Sequence, residues 1–298
     1  MRFVSLAGAQ GLGVAGVLRG DHVVDLSHRA CQDLLGGAPP TMQALIEQGL
    51  HSWARRLADT SFDADAMRPL TEVQLLAPLP RPGKVVGAAF NFTDALAERG
   101  MPHPVEPVIF VRSGSTVIGP GAPIMLPPDV GNVGYEAELA VVIGKRALRV
   151  DREHAMRYVA GYTAHNDVSG SALIKGDGGN FVRGKNLPAS SPLGPWLMSA
   201  DELTDPYSVG IRLEIDGRRL QNGSTATMLF KIADLISWIS YRMPLDPGDI
   251  IATGTPAGVA AMHQPPAWLA PGTTVTVEVE GFGRLSNPIQ RGEPFLDH

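Results

Sequence analysis

Short apolar runs broken by glycine and proline recur along most of the chain. Val85-Val86, Val108 to Val111, Leu139 to Ile143 and Leu213 to Ile215 are too brief for helices and predict strands. Asp216-Gly217 supplies the turn of one hairpin, and Gly20-Asp21 joins two apolar segments as another. Helical spacing appears in three places. Thr41 is placed as an N-cap ahead of Met42, Ile46, Leu50, Trp53 and Leu57. A second helix is expected from Asp151 to just before Gly161. A third runs from about Thr225 to Tyr241, with Met228, Ile232, Leu235 and Ile239 on one face and Pro244 closing it. The pattern predicts a mainly β (α+β) protein with a few packed helices. A small N-terminal β/α domain is expected over residues 1–75, and Pro78, Pro80 and Pro82 form a stiff connector to a catalytic domain over 76–298.

Composition narrows the class. The chain has 298 residues, 44% of them hydrophobic and 18% charged, which excludes intrinsic disorder. A formal net charge of −5 with no Lys/Arg run argues against nucleic acid or a membrane surface as partner. No apolar run is long enough to span a bilayer, and Gly8, Gly11, Gly13 and Gly16 break any signal-peptide core, so a cytoplasmic location is expected. Gly11 to Gly16 spells G-x-G-x-x-G, yet Gly20-Asp21 follows too soon for the helix that a dinucleotide site requires. The single cysteine, Cys31, excludes an internal disulfide and any multi-cysteine metal site.

Candidate chemistry lies in the carboxylates. On a strand through Tyr135 to Gly144, Glu136 and Glu138 point the same way, and two like charges on one apolar face repel unless a cation lies between them. A solvated edge face is the alternative. Asp167 lies just beyond a third apparent strand, Val159 to Thr163. Three carboxylates suit a hard divalent cation, Mg²⁺ or Mn²⁺; zinc is disfavoured because no His/Cys cluster has ligand spacing. No G-x-S-x-G elbow is present to suggest a serine nucleophile. His165, two residues before Asp167, falls on the same face of an extended segment, whereas His103 sits in a Pro-flanked loop. Residues Lys175 to Asn180 are expected to form a flexible lid.

Five segments in order are together specific: Tyr135-Glu136-Ala137-Glu138-Leu139-Ala140-Val141-Val142-Ile143-Gly144; Asn166-Asp167-Val168-Ser169; Lys185 followed by Pro192-Leu193-Gly194-Pro195-Trp196; Gln221-Asn222-Gly223; and Gly248 to Gly258 with its Thr253-Gly254-Thr255-Pro256 loop. In these the chain strongly resembles the fumarylacetoacetate hydrolase family over nearly its whole length. The resemblance implies a mixed β-roll and a divalent metal held by Glu136, Glu138 and Asp167. It implies oxo-acid substrates such as β-diketo acids and acylpyruvates, and a homodimer. Lys185 matches the family's active-site lysine, and Thr255 matches the position that contacts the substrate carboxylate. A metal that polarises the substrate carbonyls and steadies an enolate would then carry carbon–carbon cleavage, with Lys185 adding positive charge.

The chain also departs from that family. Hydrolytic members carry Asn-Tyr-x-x-His-x-x-Glu, whose His and Glu activate water; here the run is Asn91-Phe92-Thr93-Asp94-Ala95-Leu96-Ala97-Glu98, so Glu98 is kept and Ala95 replaces the histidine. Ile174 stands where a glutamine is expected, and Arg112 replaces a lysine. Three readings remain open: a carbon–carbon hydrolase with Glu98 or a histidine as base, a decarboxylase, isomerase or lyase of the same family, and a protein that binds oxo-acids without turnover. Arg112 and His165 join Thr255 as candidate substrate contacts, and Lys185 and Glu98 are the candidate catalytic residues.

Overall fold

A computed structural model describes residues 1–8 and 13–295. Gly11 of the G-x-G-x-x-G run lies outside the described residues. The strands Gly13–Arg19 and His22–Asp25 form the expected hairpin, with Arg19 opposite His22 across Gly20-Asp21.

A 12-stranded mixed sheet organises the molecule. At its centre lies Ala137–Ile143, antiparallel both to Val159–Asn166 and to Ile250–Ala252. The latter runs parallel to Lys84–Ala89, which pairs in turn with Val108–Ser113. On the other side, Val159–Asn166 pairs with Ser191–Ser199, and that strand accepts Arg2–Ala7 from the chain's start. A second, five-stranded sheet contains the hairpin Gly210–Ile215/Arg218–Ser224 turned by Asp216-Gly217. The protein is therefore a sheet-dominated α+β fold of the mixed β-roll type.

The central strand is buried on both faces, as a continuous apolar run should be. Leu139, Val141 and Ile143 enter the larger core; Ala140 and Val142, on the face shared with Glu138, pack with Phe3, Trp53 and Leu57 of the N-terminal segment. Glu138 is thus on an interior strand, not a solvated edge.

The helices differ from expectation in ways that local packing explains. Thr41 does cap a helix, its Oγ1 accepting from the Ala44 N–H, but that helix ends at Glu47. Gly49, at φ 98°, turns the chain before a second helix, Leu50–Ala58. The Asp151 segment gives one α-turn, Arg152–Ala155, then a 3₁₀ turn to Tyr158; the Asp151 carboxylate accepts from the Tyr241 hydroxyl instead of capping. The third helix spans Ile232–Ser240, starting well after Thr225. Residues before it are diverted by Asn91: the N–H groups of Leu229 and Phe230 donate to the Asn91 backbone and side-chain oxygens. The expected lid is also more ordered. Lys175 and Gly176 end the helix Ser171–Gly176, and Asn180 Oδ1 caps the next, Phe181–Lys185.

Candidate active site

Four sequence-selected residues converge where the central strands meet the helix Phe181–Lys185. Glu136 and Glu138 come from the start of the central strand, and Asp167 from the end of its neighbour; the Asp167 N–H donates to the Glu136 carbonyl and ties the two together. One carboxylate oxygen from each lies within 4.8 Å of the others. Lys185 Nζ donates to Asp167 Oδ2 at 2.6 Å and to Glu136 Oε2 at 2.7 Å. Glu138 accepts from the Gly254 N–H at 3.2 Å. Gly254 has φ +97°, and a β-carbon there would crowd the Ala88 carbonyl at 2.9 Å, so this turn requires glycine.

The charges are strongly coupled. Burial alone would raise the Asp167 carboxyl, but Lys185 and Arg112 outweigh it and hold the group down at about 2. Burial, reinforced by Asp167 and Glu136, pushes Glu138 well above the usual carboxylate range. Lys185 is raised, because its two carboxylate partners overcome the cost of burying an ammonium. Three carboxylates face two cations, Lys185 and Arg112, so the third, Glu138, carries its charge only when a further cation joins the cluster. That shortfall of cations and the all-oxygen donor set fit a hard divalent cation held by Glu136, Glu138 and Asp167.

A cavity of about 370 Å³ opens above this cluster. Glu136, Glu138, Lys185 and Thr255 line it. Thr255 Oγ1 donates to the Ala137 carbonyl and accepts from Gln221 Nε2, so the Gln221 amide positions the threonine. Ala95, 6% exposed, forms part of the wall, and Ile174 another part.

Three expected site residues lie elsewhere. Arg112 is fully buried behind Asp167: Nη1 pairs with the carboxylate, and Nη2 donates to the Ser190 carbonyl and hydroxyl, both at 2.7 Å. It does not line the cavity, so the structure makes it a counterion in place of a substrate contact. His165 is also fully buried; Nε2 bonds to Ser191 Oγ at 2.8 Å, Nδ1 stands 3.9 Å from Glu138 Oε2, and burial lowers its pKa to about 3. Its neutral ring lies behind the carboxylates without a hydrogen bond to them. Glu98 is exposed, and its carboxylate accepts from the Gly258 N–H at 2.9 Å, away from the cavity lining. The helix Thr93–Glu98 turns Ala95 inward and Glu98 toward the Gly258 loop. His103 is exposed outside the cavity.

Sequence reasoning missed the aromatic and cationic parts of the wall: Phe90, Phe110, Phe181, Arg99 and Lys175. Nothing local marks them as one wall, because they lie in or beside five different strands and helices.

With this fold and cluster, the chain belongs to the fumarylacetoacetate hydrolase family; residues 84–290 match the model of its C-terminal domain. Among curated relatives, it is 39% identical over 254 residues to a human mitochondrial oxaloacetate tautomerase, FAHD2A, covering 84% of this chain and 80% of that protein. Two solved structures are also similar. Fumarylacetoacetate hydrolase from Exiguobacterium antarcticum superposes with TM-score 0.80 at 32% identity, covering 98% of this chain and 99% of the other. Maleylpyruvate hydrolase from Sphingobium sp. SYK-6, solved with manganese(II) and pyruvate, gives TM-score 0.76 at 29% identity, covering 98% and 100%. Among the described residues, no helix is long and apolar enough to cross a membrane.

Proposed function

We propose that the protein is a metal-dependent tautomerase or isomerase that moves a proton within a 2-oxo acid without adding water. The observation that carries this reading is the cavity wall at Ala95, with Glu98 turned to Gly258. A methyl group cannot take a proton from water, and the remaining acid of the dyad is engaged elsewhere. Hydrolysis therefore lacks its water-activating base, whereas tautomerisation needs stabilised charge at the oxo group and one group to carry the proton, a part Lys185 would fill by giving its proton to the oxygen and taking the one that carbon loses.

A divalent cation on Glu136, Glu138 and Asp167, Mg²⁺ or Mn²⁺, would supply Lewis acidity toward the substrate's oxo and carboxylate oxygens. Lys185 holds its proton at the cavity floor and is placed to donate to an oxygen that gains negative charge. Thr255, held by Gln221, lines the cavity, and its hydroxyl proton would turn from the Ala137 carbonyl to the carboxylate end of a bound substrate. Apolar Ala95 and Ile174 keep polar groups that would fix a water away from the reacting carbons. The relatives named as oxaloacetate tautomerases make oxaloacetate the first substrate to test.

The test follows enol and keto oxaloacetate by ultraviolet absorbance with Mg²⁺ or Mn²⁺, alongside acylpyruvates analysed by product mass. Metal-dependent interconversion without water-containing fragments is expected, with Glu138→Gln abolishing both it and Mn²⁺ binding. Carbon–carbon cleavage products in place of tautomerisation would establish the hydrolase reading instead.

A further inference from the structure

In a 2-oxo acid, the group on C3 is one carbon removed from the oxo carbon, so it stays close to whatever faces the oxo oxygen. Here that neighbourhood is a phenyl ring. Lys185 Nζ stands 4.7 Å from the Phe110 ring centre. Phe110 and Phe181 are 5.0 Å apart, and Phe181 and Phe90 are 6.4 Å apart, so three rings lead away from the floor. The Arg99 guanidinium meets this row only at its far ring, 6.0 Å from the Phe90 centre, and Lys175 is exposed. Ile174 lies against the helix that carries Lys185: Gly184 precedes the lysine, and a β-carbon there would collide with the isoleucine.

Polar side chains of the same lining are turned to the backbone. Asn91 gives both amide protons to the Phe230 and Thr253 carbonyls, and Ser169 Oγ donates to the Asp167 carbonyl. Ser171 Oγ donates to the Ser169 carbonyl at 3.5 Å. Leu96, Val259, Met262 and Trp268 continue the apolar lining. Phe90 adopts φ 57°, a conformation that is costly for an aromatic residue and is seen where surrounding structure enforces it. The cavity volume, about 370 Å³, also leaves room beyond a four-carbon acid.

We propose that the preferred substrates are arylpyruvates, 2-oxo acids with an aromatic ring on C3, and that this ring packs on Phe110 and Phe181. The inference deepens the tautomerase reading of the floor and rests on it. The step balances without a co-reactant. The C3–H bond breaks, its electron pair forms the C2–C3 double bond, the oxo oxygen takes a proton from Lys185, and Lys185 takes the proton that C3 releases. The enol is then conjugated with the ring. Phenyl faces carry negative charge density, so they favour the edge or offset face of another ring. A carboxylate in the same place would lose water and gain no donor from those faces.

Phenylpyruvate and oxaloacetate differ only in the group on C3, a phenyl ring against a carboxylate. Keto–enol interconversion of each is followed by ultraviolet absorbance with the Mn²⁺-loaded protein, and each kcat/KM is divided by the spontaneous rate constant. The value for phenylpyruvate is expected to exceed that for oxaloacetate by about tenfold or more, the scale of burying one ring. Phe181→Ala should bring the two values close together, with calorimetric Mn²⁺ titration showing that the carboxylate cluster of the variant is intact. If the variant loses Mn²⁺ binding, the comparison in the native protein decides alone. An equal or greater value for oxaloacetate in the native protein overturns the proposal and upholds the tautomerase reading. A phenylpyruvate preference that an intact Phe181→Ala variant retains also overturns it. If neither acid interconverts faster than it does spontaneously, the tautomerase reading and this inference fall together.

Discussion

Gly87 lies directly opposite Phe110 across an antiparallel strand pair, and the phenyl ring occupies the space that a side chain at Gly87 would need. A β-carbon there would come within 2.1 Å of the ring. The glycine thus seats the first ring of the aromatic wall, which in turn lies against the Lys185 ammonium.

Gly87→Ala should therefore act on both stability and the cavity. Displacing a packed ring costs about 1–3 kcal/mol in overpacked cores. A lower Tm is expected, together with a raised KM for the oxo acid, because the Phe110–Phe181 contact must shift. A variant with native Tm and native KM would show that the ring is not held by this contact.

Arg112 gives a second, opposite separation. Its guanidinium is fully buried on Asp167 and Ser190, so Arg112→Met leaves a buried carboxylate with one cation fewer. Breaking such a pair typically costs about 3–5 kcal/mol. Denaturant titration should show a loss of that order, and Mn²⁺ should bind with altered affinity because Asp167 is freed to move. If the variant keeps its stability and only the KM rises, Arg112 is a substrate contact after all.

Ala95→His tests whether a hydrolase can be restored. The new imidazole would enter the cavity, but Glu98 remains engaged by the Gly258 N–H and is not placed to orient it. Acylpyruvate hydrolysis is expected to stay at background. General-base catalysis contributes about 10²–10⁴-fold, so a gain of even about tenfold would favour the weakened-hydrolase reading over the tautomerase.

Oligomeric state is a further expectation. Val105 is fully exposed and Tyr241 is 53% exposed, and both border one surface groove with Trp238 and Phe230. Burial of this apolar surface in a homodimer is expected to give twice the 31.6 kDa chain mass by light scattering at micromolar protein. A mass of 31.6 kDa would count against it.

The carboxylate cluster was legible because its signals are local. Glu138 lies on one strand with Glu136 just before it, Asp167 directly follows the next, and hairpin turns such as Asp216-Gly217 declare themselves by residue type. Family resemblance added Lys185, whose position on a short helix has no strand periodicity to reveal it.

Helix limits were less legible, since apolar spacing across 41–57 and 225–241 continues through two breaks: the Gly49 turn in one case, and the Asn91 hydrogen bonds that hold 229–230 in a bend in the other. The roles of Arg112, His165 and Glu98 depended on direction. Residue type and sequence position marked each as polar and near the site, but strand pairing and packing put Arg112 and His165 behind the carboxylates and turned Glu98 to the Gly258 loop. The phenyl row is the plainest case. Its rings arise at positions 90, 110 and 181, and only the pairing of Lys84–Ala89 with Val108–Ser113, and the docking of Phe181–Lys185 beside them, brings the rings within stacking distance. Local sequence determines which groups a strand or turn presents; which groups meet is decided by burial of surfaces contributed from distant parts of the chain.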